Sequence, residues 1–147
     1  MFRGRYEHTI DTKGRVSLPA KFREILSTHY DERLVVTTNF DHNLIAYPFP
    51  EWQKLEQKIS GLSQLNPNVI KYKRLFISGA CECSIDGNGR ILLPPTLRDY
   101  AGLARDVVFA GMVNTIEIWA KDRWEKEFES ARSDAHEVAA ALADLGL

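Results

Sequence analysis

Several things are scarce in this chain of 147 residues. Cysteine appears only twice, at Cys81 and Cys83, too few for a disulfide scaffold and in keeping with a reducing compartment. No apolar run is long enough to span a membrane. Met1 leads into Phe2-Arg3-Gly4-Arg5-Tyr6 without the apolar stretch of a signal peptide, so a cytoplasmic location is expected. The four histidines (His8, His29, His42 and His136) are scattered, and none sits at metal-ligand spacing from another His or Cys. Gly87-Asn88-Gly89 lacks the spacing and the Lys-Ser/Thr of a phosphate-binding loop and reads as a hairpin turn. With no acid, base and nucleophile in any recognisable arrangement, an enzyme is not expected, nor is a cofactor or a metal.

Net charge is scarce as well, at -1, but it is unevenly spread. Residues 1–25 hold six Lys/Arg (3, 5, 13, 15, 21 and 23) against three acids, a net of +3, whereas residues 122–147 hold seven acids against three bases, a net of -4. A basic end and an acidic end on a near-neutral chain fit a localised polyanion-binding face. Hydrophobic residues at 44% and charged residues at 27% are those of a globular protein, built as one domain or as two intertwined ones.

What the chain does have is one unit written twice. Phe2–Arg23 aligns without a gap on Ile77–Arg98, at an offset of 75, with nine identities in 22 positions. They include both copies of Asp-x-x-Gly-Arg-x-x-x-Pro-x-x-x-Arg: Asp11, Gly14, Arg15, Pro19 and Arg23, then Asp86, Gly89, Arg90, Pro94 and Arg98. Alternation predicts a hairpin over 2–18 and another over 77–93, each followed by a short helix that a proline opens. Further hairpins are expected at 34–47 and 107–119. A helix should start at Pro50, with Trp52, Leu55, Ile59 and Leu62 on one face, and another at Pro67, running to about Phe76. From Lys121 the pattern Trp124, Phe128, Ala131, Ala135, Val138, Leu142 and Leu145 makes a heptad-like seam that must pack on its own body or on a neighbouring subunit. The expected divisions are a first unit at 1–53, a helical linker at 54–76, a second unit at 77–124 and a C-terminal helix at 125–147.

The repeated motif carries the chemistry. Gly14 and Gly89 suit the positive φ of a tight turn, and Asp11 and Asp86 can bond back to turn amides. Arg23 and Arg98 are open to three uses, of which pairing with Asp11 and Asp86 and lying over the core are both preferred over a contact with a ligand. Arg15 and Arg90 should point outward from the turns. In the first copy Lys13, Arg3 and Arg5 are expected on the same outward face, a set suited to phosphates and to guanine edges. Cys81 and Cys83 take the places of Tyr6 and His8 on an inward-facing strand, where free thiols act as small core residues.

At these residues the chain resembles the MraZ family, built from two domains of the SpoVT–AbrB type. The likeness rests on Met1-Phe2-Arg3-Gly4, both Asp-x-x-Gly-Arg motifs, Tyr47-Pro48-Phe49-Pro50-Glu51-Trp52, Arg74-Leu75-Phe76 and Ile118-Trp119. It implies an α+β fold, a tandem swapped-hairpin β-barrel with flanking helices, and a ring of many subunits. It further implies a nucleoid-associated repressor that binds double-stranded DNA at direct repeats upstream of the division and cell-wall operon, its own promoter included. The DNA contacts would be Arg15, Lys13, Arg3, Arg5, Gly14 and Arg90, with Asp11, Arg23, Asp86, Gly89 and Arg98 structural. The second copy departs from the first, with Asn88 for Lys13 and Ser78 and Ala80 for Arg3 and Arg5. An oligomeric, antitoxin-like interaction module without operator recognition is the competing reading.

Overall fold

The two copies do not fold side by side; each completes the other. A computed structural model describes residues 1–147. The first copy supplies β1 (Arg5–Thr9), β2 (Arg15–Ser17), α1 (Ala20–His29), β3 (Arg33–Thr38), β4 (Leu44–Pro48) and α2 (Phe49–Ser60). After α3 (Pro67–Tyr72) and one π-helical turn at Lys73–Ile77, the second copy repeats the order. It supplies β5 (Cys81–Ser84), β6 (Arg90–Leu92), α4 (Pro95–Ala101), β7 (Asp106–Gly111), β8 (Ile116–Ala120) and α5 (Lys121–Ser133), and α6 (Ala135–Asp144) follows. No helix is long and apolar enough to cross a membrane.

Six strands form one antiparallel sheet in the order β1-β7-β8-β4-β3-β5. The first strand of each copy therefore lies on the third strand of the other, β1 on β7 and β5 on β3. β2 and β6 leave that sheet and pair with each other, Val16 opposite Ile91. The registers Val16–Ile91 and Ile45–Glu117 each join equivalent positions of the two copies, so a pseudo-twofold axis passes through both pairs.

Two expectations are corrected here. The stretch 2–18 is not a continuous hairpin: β1 and β2 share one bridge, Ile10–Val16, and then diverge because their ladders run to the other copy. In 77–93, residue 77 still belongs to the π-helical turn and β5 starts only at Cys81. Nor do the ladders close into a barrel, since β1 and β5 remain free edges of the six-stranded sheet. The hairpin expected at 34–47 forms, with Thr38 opposite Leu44.

The core lies under this sheet and under the β2/β6 ribbon. Val16, Leu18, Phe22 and Leu26 of the first copy meet Ile91, Leu93, Leu97 and Ala101 of the second, and all are buried with Phe2, Leu34, Val36, Val107, Phe109, Ile116 and Ile118. Pro19 and Pro94 stand at the caps of α1 and α4, where a missing N–H costs nothing, and Gly102 ends α4 in the left-handed region at φ 63°. The start of α5 is fixed by Arg123, which donates to the carbonyls of His42 and Tyr100. The helix expected from Lys121 onward breaks at Asp134, and beyond Trp124 its apolar seam stays exposed, including Phe128, Val138 and Leu142.

Cys83 is in the core and Cys81 is half-buried beside it. Burial, followed by the neighbouring Cys81, pushes the Cys83 thiol up to about 12, so almost none of it is thiolate at neutral pH. A thiol-specific reagent is expected to label Cys81 in the folded protein and Cys83 only on unfolding. Cys83→Ala should cost about 1 kcal/mol in lost packing, read from denaturant unfolding, and Cys81→Ala less.

Candidate nucleic-acid interface

The two motif turns are built alike and sit against each other. In the first, the Asp11 carboxylate accepts from the amides of Lys13 and Arg15, both at 2.9 Å, while Gly14 N–H donates to Asp11 O and Gly14 takes φ 89°. In the second, Asp86 accepts from the amides of Asn88 (2.8 Å) and Arg90 (2.9 Å), and Gly89 takes φ 75°. The turns then cross-link: Leu93 N–H donates to Gly14 O at 2.8 Å and Leu18 N–H to Gly89 O at 2.9 Å.

Of the uses open to Arg23 and Arg98, pairing with the aspartates does not occur. Arg15 Nε donates to Asp11 Oδ2 at 2.8 Å and Arg90 Nε to Asp86 Oδ2 at 3.1 Å, because the turn folds each i+4 guanidinium back over its own carboxylate. The exchange of strands instead lays Arg98 across Gly14 and Arg23 across Gly89. A Cβ on Gly14 would stand 2.6 Å from Leu93 O and 2.7 Å from Arg98 Nε, and one on Gly89 would collide with the Arg23 guanidinium. Arg98 Nε also donates to Leu93 O at 3.0 Å. Glycine is required twice over at these turns, by φ and by the arginine lying against it.

Outward from the core, the ribbon presents a definite set. Since Val16 and Ile91 point inward, Arg15 and Leu92 share the outer face with Ser17 and Arg90, paired Arg15–Leu92 and Ser17–Arg90. Each guanidinium is held at Nε, and its terminal nitrogens have no hydrogen-bond partner in the protein. Lys13 is exposed beside them and makes no ion pair. Accepted backbone hydrogen bonds, first from Arg15 and first from Arg90 respectively, hold the Asp11 and Asp86 carboxyls below their ordinary value.

Arg3 and Arg5 are not brought into this set. Arg5 lies six residues before Asp11, about 20 Å along extended chain, with its guanidinium 4.5 Å from the Phe128 ring centroid of α5. Next to it Glu7 pairs with Lys121 at 3.2 Å, so the outer face of β1 carries the C-terminal helix. Arg3 adjoins Gly111, between β1 and the Phe2–Val113 bridge. In place of these two, the structure adds Ser17 and Leu92, which sequence reasoning passed over although their alternation with Val16 and Ile91 was there to read. His8, half-buried edge-on to the Phe109 ring, is held below its ordinary value by burial and then by the charge of Arg23.

A scan of family models matches the family described as "MraZ protein, putative antitoxin-like" over residues 1–71 and 76–145. Among curated proteins the chain is similar to "Transcriptional regulator MraZ" of Halothermothrix orenii, 44% identical over the whole of both chains. The protein of the same name from Pelotomaculum thermopropionicum is 45% identical over the whole of this chain and 99% of that one. The one from Syntrophobacter fumaroxidans is 42% identical over 99% and 97%. All three of these relatives are named as transcriptional regulators. The chain belongs to the MraZ family.

Replacing Gly14 or Gly89 with Ala should destabilise the protein by at least about 1–2 kcal/mol, the cost of a left-handed backbone with a Cβ, before any displacement of the arginine is counted. Thermal unfolding of the two single variants checks this. Because the folded-state carboxyls are depressed, the support that Asp11 and Asp86 give their turns is complete above the ordinary carboxylate value and is lost as pH falls through the depressed one. Carboxyl titration by NMR should give low midpoints for both, and Arg15→Ala should move that of Asp11 upward.

Proposed function

We propose that the protein is a sequence-specific DNA-binding repressor and that the β2/β6 ribbon is the element that enters the duplex. One observation carries the reading: a two-stranded antiparallel ribbon exposes Arg15 and Arg90 on a single face, each held at Nε by an aspartate with its terminal nitrogens free. A two-stranded ribbon fits the major groove, and a guanidinium offering two donors matches guanine O6 and N7. The carboxylates act as positioning groups, reducing the rotamer freedom that each arginine would lose on binding. Lys13 adds phosphate attraction on one side of the axis. Arg3 and Arg5 serve DNA only at a distance from the ribbon, on duplex that reaches the α5 side. The reading extends, through the family, to direct repeats upstream of the division and cell-wall operon, to the protein's own promoter, and to a nucleoid-associated location in the cytoplasm. The strand exchange between copies supports a swapped-hairpin description of the fold.

Homo-oligomerisation belongs to the same reading. Beyond Phe128, which Arg5 overlies, the seam through Val138, Leu142 and Leu145 of α6 and its end stays exposed, which leaves the second of its two expected partners, a neighbouring subunit. Tethered protomers gain effective concentration on repeated sites, so a duplex with two correctly spaced repeats should bind far more tightly than one with a single repeat. Deleting residues 134–147 should lower the mass in solution and remove that advantage, as light scattering and binding to the two duplexes would report.

The direct test is binding to the chain's own upstream DNA across a salt series. Affinity should fall steeply with salt, since phosphate contacts release counterions. Lys13 stands in the turn of Arg15 where Asn88 stands in that of Arg90, so Arg15→Ala is expected to weaken binding more than Arg90→Ala. Equal losses would remove the asymmetry. The antitoxin-like interaction module, which the family description favours, instead predicts no salt-dependent affinity for that DNA.

A further inference from the structure

We propose that Leu92 reads the 5-methyl group of a thymine, and that the exchange of Ser17 for Leu92 across the pseudo-twofold axis gives the ribbon a direction along the duplex. The inference rests on the reading of the β2/β6 ribbon as the DNA-contacting element.

The axis through Val16–Ile91 relates Arg15 to Arg90 and Ser17 to Leu92. A ribbon with identical halves would read both strands of a duplex alike and would select an inverted repeat. The guanidinium positions are the same in the two halves, and so are the aspartates that hold them. What differs at the turn tips is Thr12 against Gly87 and Lys13 against Asn88, and on the outer face of the ribbon Ser17 against Leu92. Lys13 changes phosphate attraction, which carries no base information. The difference on the ribbon itself is one of recognition chemistry: a hydroxyl on one side, a branched apolar side chain on the other.

Leu92 remains 56% exposed although it sits in regular strand, opposite Arg15 on the same face and one position from Ile91, which is 1% exposed. A single exposed leucine on an ordinary surface needs no explanation. This one stands between two arginines whose terminal nitrogens are free, in the middle of the surface that faces the base edges. In the major groove the thymine methyl is the apolar group that a base pair presents. Directly opposed residues have Cβ atoms about 5 Å apart, so the methyl that Leu92 meets lies within a base pair or two of the base that Arg15 contacts.

The test uses the full-length protein and a duplex selected by the wild type from a randomised pool. Each thymine of that duplex is replaced singly by deoxyuridine, which removes the methyl and leaves the pairing unchanged. Wild type should lose affinity about fourfold at one thymine per bound box, the equilibrium equivalent of one buried methyl-sized group. Leu92→Ser, which makes the outer strand positions of the two halves alike, should abolish that sensitivity, and Leu92→Met should keep it. Ser17→Leu should create a second sensitive thymine in the other half. The proposal is overturned by a wild type indifferent to every replacement, by Leu92→Ser retaining the sensitivity, or by a selected sequence without thymine near the Arg15-dependent base. In each of those cases DNA binding itself stands. Failure to select any sequence overturns the ribbon reading together with this inference.

Discussion

Two glycine turns meeting across a pseudo-twofold axis hold the molecule in its arrangement. Each turn gives its glycine carbonyl to a leucine amide of the other copy, and each receives the other copy's arginine against its bare Cα. The same meeting fixes the β2/β6 register, which buries Val16 and Ile91 and so turns Arg15 and Arg90 to the outside. Fold and site are thus one constraint. A side chain at either glycine would push on the backbone that positions both arginines, not on one of them alone.

The aspartates extend the constraint to the guanidiniums. A carboxylate at the first turn position collects two amides with one oxygen and Nε of the i+4 arginine with the other. Exposed ion pairs of this kind add little to stability. Their consequence is orientation: the fork of terminal nitrogens projects from a fixed point on a rigid ribbon. Repetition in the second copy places a second, equally held guanidinium on the same face of the ribbon.

The duplication, the strand alternation and the turn chemistry were legible in the sequence because each is local. Which strand β1 would choose was not. Alternation in Phe2–Ile10 specifies a face to be buried, and both β2 and β7 could cover it; only the closure of the whole core decides for β7. The roles of Arg23 and Arg98 were hidden for the same reason. Pairing within a copy is the short-range solution, and strand exchange brings the other copy's glycine closer than the aspartate. The place of Arg5 was not legible either, because the ring it lies over, Phe128, is more than a hundred residues away. Leu92 escaped notice as an apolar residue among apolar residues, and its exposure became visible only once Ile91 was fixed inward.

The central claim is that the two turns and the ribbon between them act as a single DNA-binding element. Hydrogen exchange of the full-length protein, followed by mass spectrometry with and without operator duplex, tests it most directly. The account predicts that peptides covering residues 10–18 and 85–93 gain protection together and at the same DNA concentration. Protection confined to one turn, or found on α2 and α3 while both turns exchange freely, would contradict it.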